Sequence, residues 1–184
     1  MDYLSTLQQG VISIVKGCGE KPSAQQLAIA LKSVEQASRK TKPIYDSNQL
    51  KGTWRLCFIT GTKKAQNQAG MVLQSGRYLP RWVTVELTFT PQAKDASEIL
   101  ENCIQLGGLQ LQLTGPARFL TPKNILAFDF TNIKLRVGQQ TLYSGKIRGG
   151  KKREKKFDDE NINKQAFFTY FLIEDNLIAA RGKG

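Results

Sequence analysis

The chain has 184 residues, with 27 Lys and Arg against 15 Asp and Glu, no His and a formal net charge of +12. That length suits one domain with a small appendage, and a hydrophobic content of 40% excludes global disorder. The lack of histidine removes the commonest general base and metal ligand, and the basic excess favours an anionic partner: nucleic acid, an acidic protein or an anionic lipid surface.

Residues 2–17 predict a helix, because Leu4, Leu7, Val11 and Ile14/Val15 recur at helical spacing behind Asp2 as a cap. Gly17 and Gly19 end it. Ser23 opens a second helix, with Gln26 completing a capping box and Arg39 and Lys40 in the last turn. Pro43 closes this pair, which is too short to stand without packing on something else. Residues 1–45 therefore read as a helical extension and 46–184 as a β domain.

From Leu50 the period changes to two. Gly52 permits a backbone turn, and Thr53–Thr60 reads as a first strand with Trp54, Leu56 and Phe58 on one face. The polar, Gly-containing connection 61–81 has the length of a lid or binding loop. Strands follow at Trp82–Thr90, Ile99–Leu106, Leu109–Leu113, Arg118–Leu120, Ile125–Phe130, Ile133–Val137 and Thr141–Ile147. Gly115-Pro116 punctuates between two of them. Ala166–Glu174 and Leu177–Arg181 form a last hairpin around Asp175-Asn176.

Strands joined by turns, without helices between them, imply an antiparallel sheet that must close to hide its edges. Closure at about eight strands leaves an interior that is either filled or holds one small ligand. Trp54, Phe58, Val85, Phe89, Leu111, Phe128 and Phe168 are the candidates to line it, as plain core or as cavity wall. Asp129, between Phe128 and Phe130, reads as the outward, polar side of a strand.

Leu50-Lys51-Gly52-Thr53-Trp54-Arg55-Leu56, Phe58 and Thr60-Gly61-Thr62 resemble the opening of the plastid-lipid-associated protein (fibrillin, plastoglobulin) domain. Leu113-Thr114-Gly115-Pro116-Ala117-Arg118, Phe128-Asp129-Phe130, and Phe171-Leu172-Ile173 through Arg181-Gly182 look like its middle and end, so the resemblance spans nearly the whole chain. It implies a lipocalin-like (calycin) β-barrel behind two N-terminal helices. It also implies noncatalytic binding of carotenoids, quinones or tocopherols at thylakoids or lipid globules, with a structural or photoprotective role. By the same resemblance Gly52, Trp54 and Arg181 shape one barrel end, with Arg181 packing over Trp54. With no transit peptide read at the start, a cyanobacterial member at the cytoplasmic face of the thylakoid is expected ahead of a plastid one. A bilin-handling lyase-like protein, or a scaffold for a lipid-biosynthetic enzyme, are the alternatives.

Lys146–Lys156, KIRGGKKREKK, holds seven basic residues and one acid, Glu154. Lys151, Lys152, Arg153, Lys155 and Lys156 are expected to meet an anionic membrane surface, where each basic residue gains roughly 1 kcal/mol. Nucleic acid is the weaker reading, since no aromatics interleave the cations. Cys18, Cys57 and Cys103 suit small hydrophobes rather than a disulfide frame. No nucleophile–base pair, metal-ligand spacing or cofactor motif is visible. No apolar run approaches the roughly 18–20 residues of a membrane-spanning helix, and Met1-Asp2 lacks the basic start of a secretory signal. The chain is thus expected to be neither transmembrane nor secreted.

Overall fold

The computed structural model describes residues 2–61, 76–91 and 98–183. Most of the 61–81 connection lies outside them, and so does its expected role as a lid. The chain divides into two compact units, Met1–Pro43 with Leu56–Arg81, and Ile44–Arg55 with Trp82–Gly184. One division falls between Pro43 and Ile44, and 56–81 groups with the helices.

In the first unit, α1 (Tyr3–Val15) starts where the Asp2 carboxylate accepts the Leu4 N–H, and α2 (Ala24–Thr41) carries the Ser23/Gln26 capping box. The helices approach closely because Gly10 faces Leu27: a Cβ at Gly10 would stand 2.9 Å from the leucine side chain. The buried stripe of α1 is Leu7, as expected, with the small residues Gly10 and Ser13 in place of Val11 and Ile14/Val15. A short hairpin completes the unit, with β2 (Phe58–Thr60) antiparallel to β3 (Gly76–Tyr78). Tyr78 donates its hydroxyl to the Pro22 carbonyl at 2.7 Å, and the Lys21 ammonium lies 4.1 Å above its ring.

The second unit is a nine-stranded antiparallel sheet that curls into a nearly closed barrel, as the alternating pattern predicts. Its strands are β1 (Gly52–Arg55), β4 (Val83–Thr90), β5 (Glu98–Leu106), β6 (Leu109–Leu120), β7 (Ile125–Phe128), β8 (Asn132–Val137), β9 (Gln140–Lys146), β10 (Ala166–Glu174) and β11 (Leu177–Lys183). The order runs β1-β4-β5-β6-β7-β10-β11, with β8 and β9 branching from β6. The first strand is shorter than expected. It breaks at Leu56-Cys57, so Phe58 pairs opposite Tyr78 in the other unit and is not a wall of the barrel.

β6 runs unbroken through Gly115-Pro116, which had read as a stop. Its first half, Leu109–Thr114, pairs with β8, and its last four residues, from Ala117, pair with β7 along the same edge. Between them the backbone of Asp129–Thr131 bulges against Gly115, where a Cβ would meet the Asp129 carbonyl oxygen at 1.9 Å. The missing N–H of Pro116 falls at this change of partner, where a central strand tolerates it. Arg118–Leu120 is therefore the end of β6 and no separate strand.

The gap between edge strands β1 and β11 is bridged by the segment before β1. Tyr45 donates its N–H to the Asn124 side chain at 3.0 Å, a 3-10 turn (Ser47–Leu50) packs on β10, and Leu50 is buried to 2% exposure. Leu50 also accepts the Trp54 indole N–H through its carbonyl at 2.7 Å, which satisfies the one polar atom of that side chain. Leu50, Phe89, Leu100, Ala117, Leu126, Phe128, Tyr170 and Ile173 form the core.

Gly115→Ala is expected to lower stability by about 3 kcal/mol, because main chain cannot yield as a side chain would. A thermal melt of the variant checks this; an unchanged melting temperature would show that the bulge is not tightly held.

Candidate functional site

The antiparallel registers sort side chains onto two faces, since directly opposed residues point the same way. The inner face carries the rows Val83-Leu106-Leu109-Val137, Val85-Ile104-Leu111-Leu135-Tyr143 and Trp54-Leu87-Asn102-Leu113-Ile133. The outer face carries Thr84-Gln105-Gln110-Arg136-Thr141 and Glu86-Cys103-Gln112-Lys134-Ser144. One side is thus apolar but for the Asn102 amide, the Trp54 indole N–H and the Tyr143 hydroxyl, and the other is largely polar.

The inner face differs at its two ends. Toward β7 and β10 it is packed solid: Phe89 is 2% exposed, and Phe168 stacks on Phe128 at 5.0 Å with Phe130 at 5.1 Å from the same ring. Tyr170 is 4% exposed there, and that burial drives its hydroxyl well above its ordinary pKa. Toward the β5–β6 and β8–β9 turns the same face is only half-buried. Leu106, Leu109, Val137 and Tyr143 remain partly exposed there, and Trp82, just before Val83, is 70% exposed.

The candidate lining residues therefore separate. Phe89 and Phe128 are core, and Phe168 packs against that core. Val85, Leu111 and Trp54 lie on the half-buried part of the inner face. Phe58 belongs to the other unit, in edge contact with Tyr78. Gly52 takes φ +122° at the start of β1, a conformation that L side chains resist, so it makes the turn expected of it. Arg181 is exposed on β11 opposite Thr169.

The basic segment is folded rather than a simple loop. After Gly149 and Gly150, both at positive φ, Lys151–Lys156 forms a short helix, α3. Asp129, read as outward-facing, is instead 4% exposed and ion-paired with both Arg153 and Arg148. Glu154 accepts the hydroxyl of the fully buried Thr131 at 2.7 Å and the Asn132 amide at 3.1 Å. Those two hydrogen-bond donors, with Lys146 and Lys151 nearby, hold its carboxyl below the usual range against some burial. Arg153 is thus a structural clamp and leaves the set of surface-binding cations. Lys151, Lys152, Lys155 and Lys156 stay exposed.

Other ionisable groups carry less. Burial raises the Glu98 carboxyl, with Asp46 adding to it, against the Phe119 N–H donated to it at 2.7 Å. Burial also raises the Cys103 thiol, and none of Cys18, Cys57 and Cys103 is in a disulfide. Among the described residues no three Cys, Asp or Glu gather as a metal site requires. No described helix is long and apolar enough to cross a membrane. In the first unit, Tyr3, Gln9, Pro22 and Ile29 line an open groove of about 320 Å³. Comparison with protein-family models, curated proteins and solved structures returns no match to this chain.

Sequence reasoning missed Asn102 and misread Asp129 as outward-facing. Asn102 had a signal, a lone polar residue between Leu100 and Ile104 on an alternating strand. The partner of Asp129 stands 24 positions away, beyond any local pattern.

Asp129→Asn should cost about 1–2 kcal/mol in a urea melt, because it removes the charge-assisted bonds to Arg153 and Arg148, whose guanidiniums water can still reach. Acid should loosen α3 separately. A carboxyl with a lowered folded pKa stabilises the docked helix above its unfolded pKa, and that contribution disappears as pH falls through the folded value. Protection factors against hydrogen exchange across 149–156, with the intrinsic pH dependence divided out, should therefore fall in acid, and Glu154→Gln should remove that fall.

Proposed function

We propose that this protein is a noncatalytic carrier that holds an apolar small molecule on the inner face of its barrel and docks reversibly on an anionic lipid surface. The observation that carries the reading is the row Val85-Ile104-Leu111-Leu135-Tyr143, aliphatic across four strands yet only half-covered. Exposed apolar patches on a soluble chain mark interaction sites, and burying this one would recover roughly 25 cal/mol for each Å². The packed aromatic end supplies a rigid floor, and the half-open end, with Trp82 at its margin, supplies the entrance.

The resemblance to plastid-lipid-associated domains points to a carotenoid, quinone or tocopherol type of ligand, and to thylakoids or lipid globules as the place of work. The exposed lysines of α3 suit such a surface. They stand on a helix clamped to the barrel by Arg153 and Glu154, so less ordering entropy is lost on docking than from a loose loop.

Protein purified from its native cell and extracted with organic solvent should release one apolar compound in near-stoichiometric amount by mass spectrometry. Leu111→Glu should keep the fold and lose that compound. An empty wild-type extract would count against the carrier. Replacing Lys151, Lys152, Lys155 and Lys156 with Gln should weaken binding to anionic vesicles by about tenfold or more at low salt; equal sedimentation of both proteins would remove the lipid-surface half of the reading.

A further inference from the structure

We propose that Asn102 is the polar anchor of the inner face, and that it selects an apolar molecule bearing a hydroxyl group, an alcohol or a phenol. This rests on the inner face being the binding surface. Asn102 faces inward from β5, opposite Leu87 on one side and Leu113 on the other, with Trp54 and Ile133 next along the row. Its Oδ1 is buried and has no hydrogen-bond partner among the described residues.

A carbonyl oxygen buried without a donor costs stability that a leucine of similar size would not. Every other member of this row is apolar, so the amide breaks the local rule that the rest of the row follows. Such breaks concentrate at functional positions. The group that repairs this one must donate a hydrogen bond and arrive on an apolar body. A hydroxyl does both. A hydrocarbon, an ether or a ketone brings no donor to Oδ1, and an ammonium would be stripped of water among leucines.

The position also sets the orientation. Asn102 stands between Leu100, fully buried in the core, and Ile104, on the half-covered row. The hydroxyl therefore enters first, toward the packed floor, and the apolar body trails over Ile104, Leu111 and Leu135 toward the margin at Leu106 and Val137. An otherwise apolar site with one unpaired polar atom discriminates sharply between a ligand that pairs it and an isostere that does not.

Retinol and retinyl methyl ether, titrated into the full chain and followed by energy transfer from Trp54 and Trp82, separate the possibilities. Wild type should prefer retinol by about tenfold. Asn102→Leu should bind both probes equally and melt no lower than wild type; Asn102→Ala, a smaller change, should show the same loss of preference. Equal binding of the two probes by wild type, or a preference that survives in either variant, would overturn the anchor while leaving the carrier reading intact. Failure of wild type to bind either probe would overturn both. Variants that do not fold at all would assign Asn102 to the fold and end the proposal.

Discussion

The handover at Gly115 is the constraint on which the rest depends. There β6 gives up β8 and takes β7, and Asp129–Thr131 fills the angle between the two branches. Two branches of the one sheet grow from one strand as a result. The β7-β10-β11 branch, with the Leu50 turn, folds inward and packs its aromatics into the core. The β8-β9 branch continues the aliphatic row past the end of that core, where Leu135 is half-buried and Val137 exposed. A floor and an open wall arise from one backbone bulge.

The same bulge places the electrostatics. Asp129 is buried because the main chain turns it away from the strand direction at the branch, and a buried carboxylate requires a counter-charge. Arg153 and Arg148 supply it, and Glu154 reaches Thr131 beside it, so the basic helix is fastened to the branch point. The cations then divide by role, Arg148 and Arg153 paired with Asp129 and the lysines of α3 exposed. Planar guanidinium suits the paired, partly buried position, and strongly hydrated ammonium suits the exposed one.

Much of this was readable before any coordinates. Thr/Val alternation in 83–90 became β4, the Ser23/Gln26 pair became a capping box, and Asp175-Asn176 became the last hairpin turn. The failures share a physical cause. Gly115-Pro116 reads locally as a stop, yet partner exchange at a bulge needs a residue without Cβ and tolerates one without N–H. Leu56-Cys57 interrupts a run whose alternation continues unbroken, because only the distant partner Tyr78 pulls Phe58 elsewhere. A charge run beside two glycines looks solvated unless Asp129 is known to await it. Local chemistry was legible, whereas long-range pairing was not.

The central claim is that the half-covered aliphatic rows, and not the outer face or the helical unit, receive an apolar guest. Photolysis of the full chain with a diazirine-bearing long-chain alcohol, followed by peptide mass spectrometry, tests it most directly. Labels concentrated on Val85, Ile104, Leu111, Leu135 and Tyr143, and competed away by unlabelled alcohol, are the predicted result. Labels confined to Tyr3, Pro22 and Ile29 of the helical groove, or scattered without competition, would contradict it.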